Sequence, residues 1–323
     1  VSRLVPRAAA RRGVALALLA ACGGTTAPPA TEPGGDSLPP VGALRDTERR
    51  GAFTNRDVVE SSAAVRSPSS SVVFWTLNDS GHDARLFAFD TSGRDLGAVR
   101  LTGVTNRDWE AMAAGPCPEG RCLYVADIGD NLARHASVTV WRLAEPAPPG
   151  AAREAAVTPA ARLRLRYPDG PRDAEAIWVD ADTTLWIASK RPERGADGRA
   201  RPTLVFRAPA TAWRDPAAVA VLALVDSLPN VPGSARHTLV TDAALSDPFG
   251  TDTSAPRLAV RTYERLFIFH VARGSGRPLG LVARCRLTDL AESQGEGVTW
   301  MADGRLLLTS EGRFAALYAA RCP

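Results

Sequence analysis

An excess of charge of either sign is missing from most of this 323-residue sequence. The formal net charge of +4 comes from Arg3, Arg7, Arg11 and Arg12, which precede Cys22 with no Asp or Glu among them; beyond Cys22 the basic and acidic residues number 35 each. A footprint for phosphate backbones is therefore absent from the body of the chain, and nucleic acid is not an expected partner. Long apolar runs are also missing. The run at residues 14–21 is too short to span a bilayer, and no other stretch is long enough. No stretch of twelve or more residues carries a helical stripe. A Gly-x-Ser-x-Gly elbow is lacking, which removes the usual signal of a serine hydrolase. His82, His135, His237 and His270 have no metal-ligand spacing. No glycine loop stands before a helix, so no organic cofactor is expected.

What is present begins with a processing signal. Four arginines, the apolar run and then Leu19-Ala20-Ala21-Cys22 resemble the lipobox of bacterial lipoproteins. The resemblance implies cleavage before Cys22, diacylation of its sulfur, and a protein exported and lipid-anchored at the cell envelope. The membrane is then a partner only through that anchor. Residues 23–45, rich in Gly, Pro, Thr and Ala, read as a flexible tether, and residues 46–323 as one folded domain. Four cysteines remain. Cys117 and Cys122 flank a turn sequence, and Cys285 and Cys322 lie late in the chain, so two disulfides, 117–122 and 285–322, are the simplest pairing in an oxidising compartment. A zinc site is the rival reading, but no histidine stands near either pair.

Past the tether the periodicity is that of strands. Short runs at residues 72–77, 138–143, 185–188 and 306–308 are separated by Gly, Pro, Asp and Ser clusters, which makes the chain all-β. One pattern recurs five times. It opens with Glu60-Ser61-Ser62, Asp108-Trp109-Glu110, Asp173-Ala174-Glu175, Thr241-Asp242-Ala243 or Gln294-Gly295-Glu296. Each opening leads into a strand, a turn and a second strand ending on a polar residue: Asp79, Asp127, Lys190, Arg261 and Glu311. Two further strands fit between successive openings.

Four antiparallel strands per unit make the blade of a β-propeller, which disposes of exposed sheet edges by radial repetition. The count favours five blades; a sixth follows if residues 146–170 or 208–236 hide one. The last unit is short. A strand from residues 45–57 is expected to complete it, and the 285–322 disulfide to tie it to its neighbour.

The segments Trp75-Thr76-Leu77-Asn78-Asp79-Ser80-Gly81, Asp108-Trp109-Glu110, Asp127-Ile128-Gly129-Asp130-Asn131, Tyr167-Pro168-Asp169-Gly170, Asp173-Ala174-Glu175-Ala176, Arg261-Thr262-Tyr263 and Gln294-Gly295-Glu296 resemble a family of exported bacterial β-propellers. That family is largely uncharacterised and related to phytase-like and NHL-type propellers. The resemblance covers residues 58–315 and implies the fold without an activity. Ser62-Ala63 and Ala243-Ala244 depart from its pattern, so the five units are not expected to contribute equally to a site.

In a propeller the start of the innermost strand and the end of the second strand share one face. Glu60, Asp79, Asp108, Glu110, Asp127, Asp173, Glu175, Glu296 and Glu311 would gather at one mouth of the channel, with Lys190 and Arg261 among them. Such crowding is unfavourable unless the carboxylates are protonated, paired or bound to metal. Calcium suits an all-oxygen set drawn from Asp108, Glu110, Asp127, Asp130, Asp173, Glu175 and Glu296. The competing reading makes Asp130 and Asn131 turn caps and the openings acceptors of backbone bonds. Lys190 is the single lysine beside 38 arginines. With Arg261 it could hold a phosphate or carboxylate, or it could simply pair with Glu175 or Asp127. Asp79, Lys190, Arg261, Tyr263 and Glu311 are the ligand-binding candidates.

Two functions remain open on the sequence. One is a monomeric binding module taking a small anionic ligand or a surface protein at an acidic funnel. The other is a metal-dependent phosphoester or ester hydrolase, with Glu110, Glu175, Glu296, Lys190 and Arg261 as candidate catalytic groups.

Overall fold

A computed structural model describes residues 38–192, 194, 198–231, 233–252 and 255–323. Cys22, the signal segment and residues 23–37 lie outside the described residues.

The chain from Leu38 to Pro323 forms five sheets arranged as a five-bladed β-propeller. The innermost strands are Ser61–Arg66, Trp109–Cys117, Ala174–Val179, Val240–Leu245 and Gly295–Trp300, and each lies against the next around a closed ring. Because blades stack face to face, the second strands are covered on both sides. They therefore read as unbroken apolar runs rather than alternating ones: every residue of Leu185–Ser189 and Leu306–Ser310 is buried. Five core clusters fill the five gaps between neighbouring blades. Trp75 meets Met112 between the first and second blades, Tyr124 meets Ile177 between the second and third, and Trp178 meets Val260 between the third and fourth. Leu266 meets Val298 between the fourth and fifth, and Phe74 meets Leu307 where the ring closes.

Closure uses the start of the domain. Arg45–Ala52 pairs antiparallel with Ala316–Arg321 as the outer strand of the fifth blade, as the short last unit required. The disulfide Cys285–Cys322 joins the fourth blade to the fifth, and Cys117–Cys122 spans the hairpin of the second, so neither pair is free for zinc.

Five blades are present, as favoured, and two details differ from the expectation. Three blades have a fifth strand in parallel register: Val41–Gly42 on Pro278–Arg286, Glu154–Val157 on Asp95–Leu101, and Val219–Val221 on Ala161–Arg166. The long segments 146–170 and 208–236 thus hold the fourth strands Ala161–Arg166 and Ala223–Leu228 together with edge-covering strands, and not a sixth blade. The folded domain also begins earlier than residue 46, since Val41–Gly42 already pairs with the fourth blade.

Candidate functional site

A β-bulge near the start of each innermost strand builds the acidic mouth. Ladder pairing skips Ser62, Glu110, Glu175 and Thr241 in the first four blades, and Glu296 with Gly297 in the fifth. A bulge adds one residue and re-aims its side chain, which sets Glu110, Glu175 and Glu296 at equivalent positions. All three are buried, each 3% exposed.

The bulge of the fourth blade corrects its alignment. Thr241, not Ala243, stands where three of the other blades carry Glu, and Tyr263, not Arg261, follows the last pair as Lys190 does in the third blade. Arg261 lies one pair deeper, opposite Asp242. Its guanidinium is fully buried, donating to the carbonyls of Gly297 (2.9 Å) and Thr309 (3.1 Å) and pairing with Glu292 at 2.5 Å. Gly295 makes this passage possible, because a Cβ there would stand 1.7 Å from the guanidinium nitrogen. Arg261 is therefore a structural cation and not a ligand-binding group. Asp242 is its counterpart. Its carboxylate accepts from the N–H groups of Ala64 (3.3 Å), Val298 (2.8 Å) and Ala243 (2.8 Å), stitching the first, fourth and fifth innermost strands together.

Two carboxylate triads share Glu110. Asp79, Asp108 and Glu110 bring ligand oxygens within 4.8 Å of one another, and so do Glu110, Asp173 and Glu175. Gly129 leaves room for the first, since a Cβ there would lie 2.5 Å from the Asp108 carboxyl and 2.6 Å from that of Glu110. The basic side chains nearby are already engaged. Lys190 pairs with Glu175, Arg107 with Asp127 at 3.0 Å, His82 with Glu60 at 2.8 Å, and Arg191 approaches Asp173 at 3.5 Å and bonds Asn131 at 2.7 Å. Among the described residues no basic side chain pairs with Asp79, Asp108 or Glu110.

Proton affinities follow from this arrangement. Burial, then the charges of Asp79, Asp173 and Asp127, push Asp108 up to about 6. Burial and the Asp79 charge lift Glu110 well above the usual carboxylate range against the pull of Lys190. Glu296 rises to about 8, chiefly through burial, although Gln294 donates to it at 2.8 Å; its second oxygen has no hydrogen-bond partner. Asp79 and Glu311 are raised by burial as well. Burial raises the Tyr263 hydroxyl, with Glu296, Glu311 and Glu110 adding to the effect, which places it by the same acidic group.

Two candidate ligands belong elsewhere. Asp130 accepts the N–H groups of Arg134 (2.8 Å) and His135 (2.7 Å), which outweigh burial and hold its carboxyl below its ordinary value. It closes a turn, and its own N–H donates to Asp173 at 2.9 Å. Asp127 pairs with Trp109 in the ladder and turns to Arg107, and burial raises it. Several residues that shape the mouth were not singled out as functional from sequence. Asn78 accepts from Val59 and Glu60 and donates to Asp57, while Asn106 donates to the carbonyls of Asn78 and Asp79 and accepts from Trp109. Asn78 and Gly129 lie in segments that carried the family resemblance; Asn106 and Glu292 gave no signal of their own.

No family model matches the chain, and no curated protein does. Solved structures do. The major allergen Mala s 1 of Malassezia sympodialis is similar over 86% of this chain and 97% of its own, at 9% identity and a TM-score of 0.53. The apo-form of the soluble aldose sugar dehydrogenase of Escherichia coli matches over 86% and 99%, at 13% identity and a TM-score of 0.46. The PQQ-bound aldose sugar dehydrogenase of Streptomyces coelicolor matches over 88% and 99%, at 10% identity and a TM-score of 0.42. At such identities the likeness shows a fold and no activity.

Proposed function

We propose that this protein is an exported, lipid-anchored binding module whose acidic mouth takes a calcium ion at Asp79, Asp108 and Glu110. The observation that carries the reading is the difference between the two triads: Lys190 pairs directly with Glu175 of one, whereas among the described residues no basic side chain pairs with Asp79, Asp108 or Glu110 of the other. Three converging carboxylates favour a hard divalent cation, and calcium accepts an irregular all-oxygen set more readily than magnesium does. A bound cation would also reverse the local sign of charge, admitting a small carboxylate- or phosphate-bearing ligand to a mouth that otherwise repels it. The two disulfides support an oxidising compartment, and the lipobox-like Cys22 supports the anchor.

Binding is favoured over phosphoester hydrolysis because the cations that would grip a phosphoryl group are committed. Arg261 is sealed under the mouth, and Lys190 is held by Glu175. Thermal unfolding in EDTA and then across a calcium titration tests the site. Calcium should raise the midpoint by several degrees in the wild type and have little effect in Asp108→Asn or Glu110→Gln. A wild-type midpoint indifferent to calcium would overturn the reading.

A further inference from the structure

The five innermost strands end at a second mouth, remote from the carboxylates. A cavity of about 400 Å³ opens there, lined by the strand ends Ala64–Arg66, Met112–Ala114, Ile177–Val179, Ala243–Leu245 and Thr299–Trp300 and by the loops that follow two of them. This volume falls within the range of small-molecule sites. Its chemistry is opposite to that of the acidic mouth.

Arg66 lines the cavity at the end of the first innermost strand. It is partly buried, and burial lowers its proton affinity. Among the described residues its guanidinium has no carboxylate, carbonyl or aromatic partner, whereas its backbone N–H is held by Thr299 at 3.0 Å. Its donors have no protein acceptor among the described residues and, the side chain being only partly buried, are available to a molecule in the cavity. The two other charged side chains in the lining are already committed. Arg121 lies over the Phe249 ring at 5.7 Å and donates to the Pro68 carbonyl, strapping the loop after the first strand to the loop after the fourth. Asp247 turns both oxygens back to its own loop, accepting from Thr251 (3.1 Å) and Asp252 (2.9 Å). Apolar groups line the same cavity as Arg66: the half-buried Trp300, whose indole N–H is satisfied by Ala244 at 2.9 Å, with Phe249 and Leu245.

We infer that this second mouth binds a small organic monoanion, one carboxylate on an apolar or aromatic body, with the carboxylate on the Arg66 fork and the body against Trp300 and Phe249. A fork-to-carboxylate contact gives two parallel charge-assisted bonds, and the walls supply the apolar burial. This site is independent of the calcium reading, because the two mouths share no side chain.

The test is calorimetric titration in EDTA, so that the acidic mouth stays metal-free, with 3-phenylpropionate, indole-3-acetate and hexanoate, each beside its neutral amide. At least one acid should bind and its amide should bind about tenfold or more weakly, the loss expected when a charge-assisted pair is replaced by a neutral contact. Arg66→Gln should lose the acid to a similar extent while unfolding at the wild-type temperature, and Arg66→Lys should recover part of it. If Arg66→Gln fails to fold, the comparison of acid with amide on the wild type still decides. No heat from any acid at millimolar concentration would overturn the inference, as would acid and amide binding alike.

Discussion

Two raised carboxyl groups with different surroundings shape the pH behaviour of this protein. Glu296 has its folded-state value raised to about 8 by burial. A raised carboxyl holds its proton in the folded chain where the unfolded chain has released it, so its contribution to stability is complete below about 4.5 and is lost as pH rises towards 8. Stability measured by denaturant in EDTA should therefore fall between pH 5 and pH 8, and Glu296→Gln should flatten that slope; an unchanged slope would contradict the account. Asp108, raised to about 6, sits where calcium would have to displace its proton. Arg261 behaves differently, because its partner Glu292 is as buried as itself. Arg261→Met should cost about 3–5 kcal/mol by stranding a charge. Adding Glu292→Gln should restore part of it, and the calcium response should survive in whichever variant folds. Loss of that response from a folded Arg261→Met protein would place Arg261 in the site after all.

At the scale of the element, the bulge decides which residues face the mouth. Gly129→Ala tests the packing of the first triad, since a Cβ there enters the space of both Asp108 and Glu110. Calcium stabilisation should be abolished with only a modest loss of fold stability, and an intact response would show that the two carboxyls need not converge. The strand pattern and the third-position glutamates were legible because acidic openings recur before apolar runs. Residue counting misled wherever a hairpin carried a different number of residues between bulge and strand end. Arg261 and Asp127 looked equivalent to Lys190, yet the ladder puts Tyr263 and Ile128 in its place. Sequence spacing cannot register a bulge, and one skipped pair moves a side chain from the mouth into the core. The parallel outer strands were hidden for another reason: Glu154–Val157 is only four residues long and mostly exposed, and its pairing partner is more than fifty residues earlier.

The domain from Leu38 to Pro323 is a ring held shut by Arg45–Ala52 and by Cys285–Cys322. Bridging residues 37 apart constrains the unfolded chain more than bridging residues 5 apart. Cys322→Ser should then lower stability by about 2–4 kcal/mol, and Cys122→Ser by less, in denaturant titrations under oxidising conditions. Equal losses would mean that blade-to-blade closure is not what the longer bridge secures. Closure matters for function because the first triad draws Asp79 from one blade and Asp108 and Glu110 from the next, so the mouth exists only while the ring holds. The most direct measurement is a calorimetric calcium titration of the wild type and of Asp108→Asn at pH 7 and pH 5. One site is predicted in the wild type, about tenfold or more weaker at pH 5 because a group titrating near 6 must first give up its proton, and little or no binding in Asp108→Asn. Binding of equal strength at the two pH values, or retained in Asp108→Asn, would contradict the assignment of the acidic mouth as a calcium site.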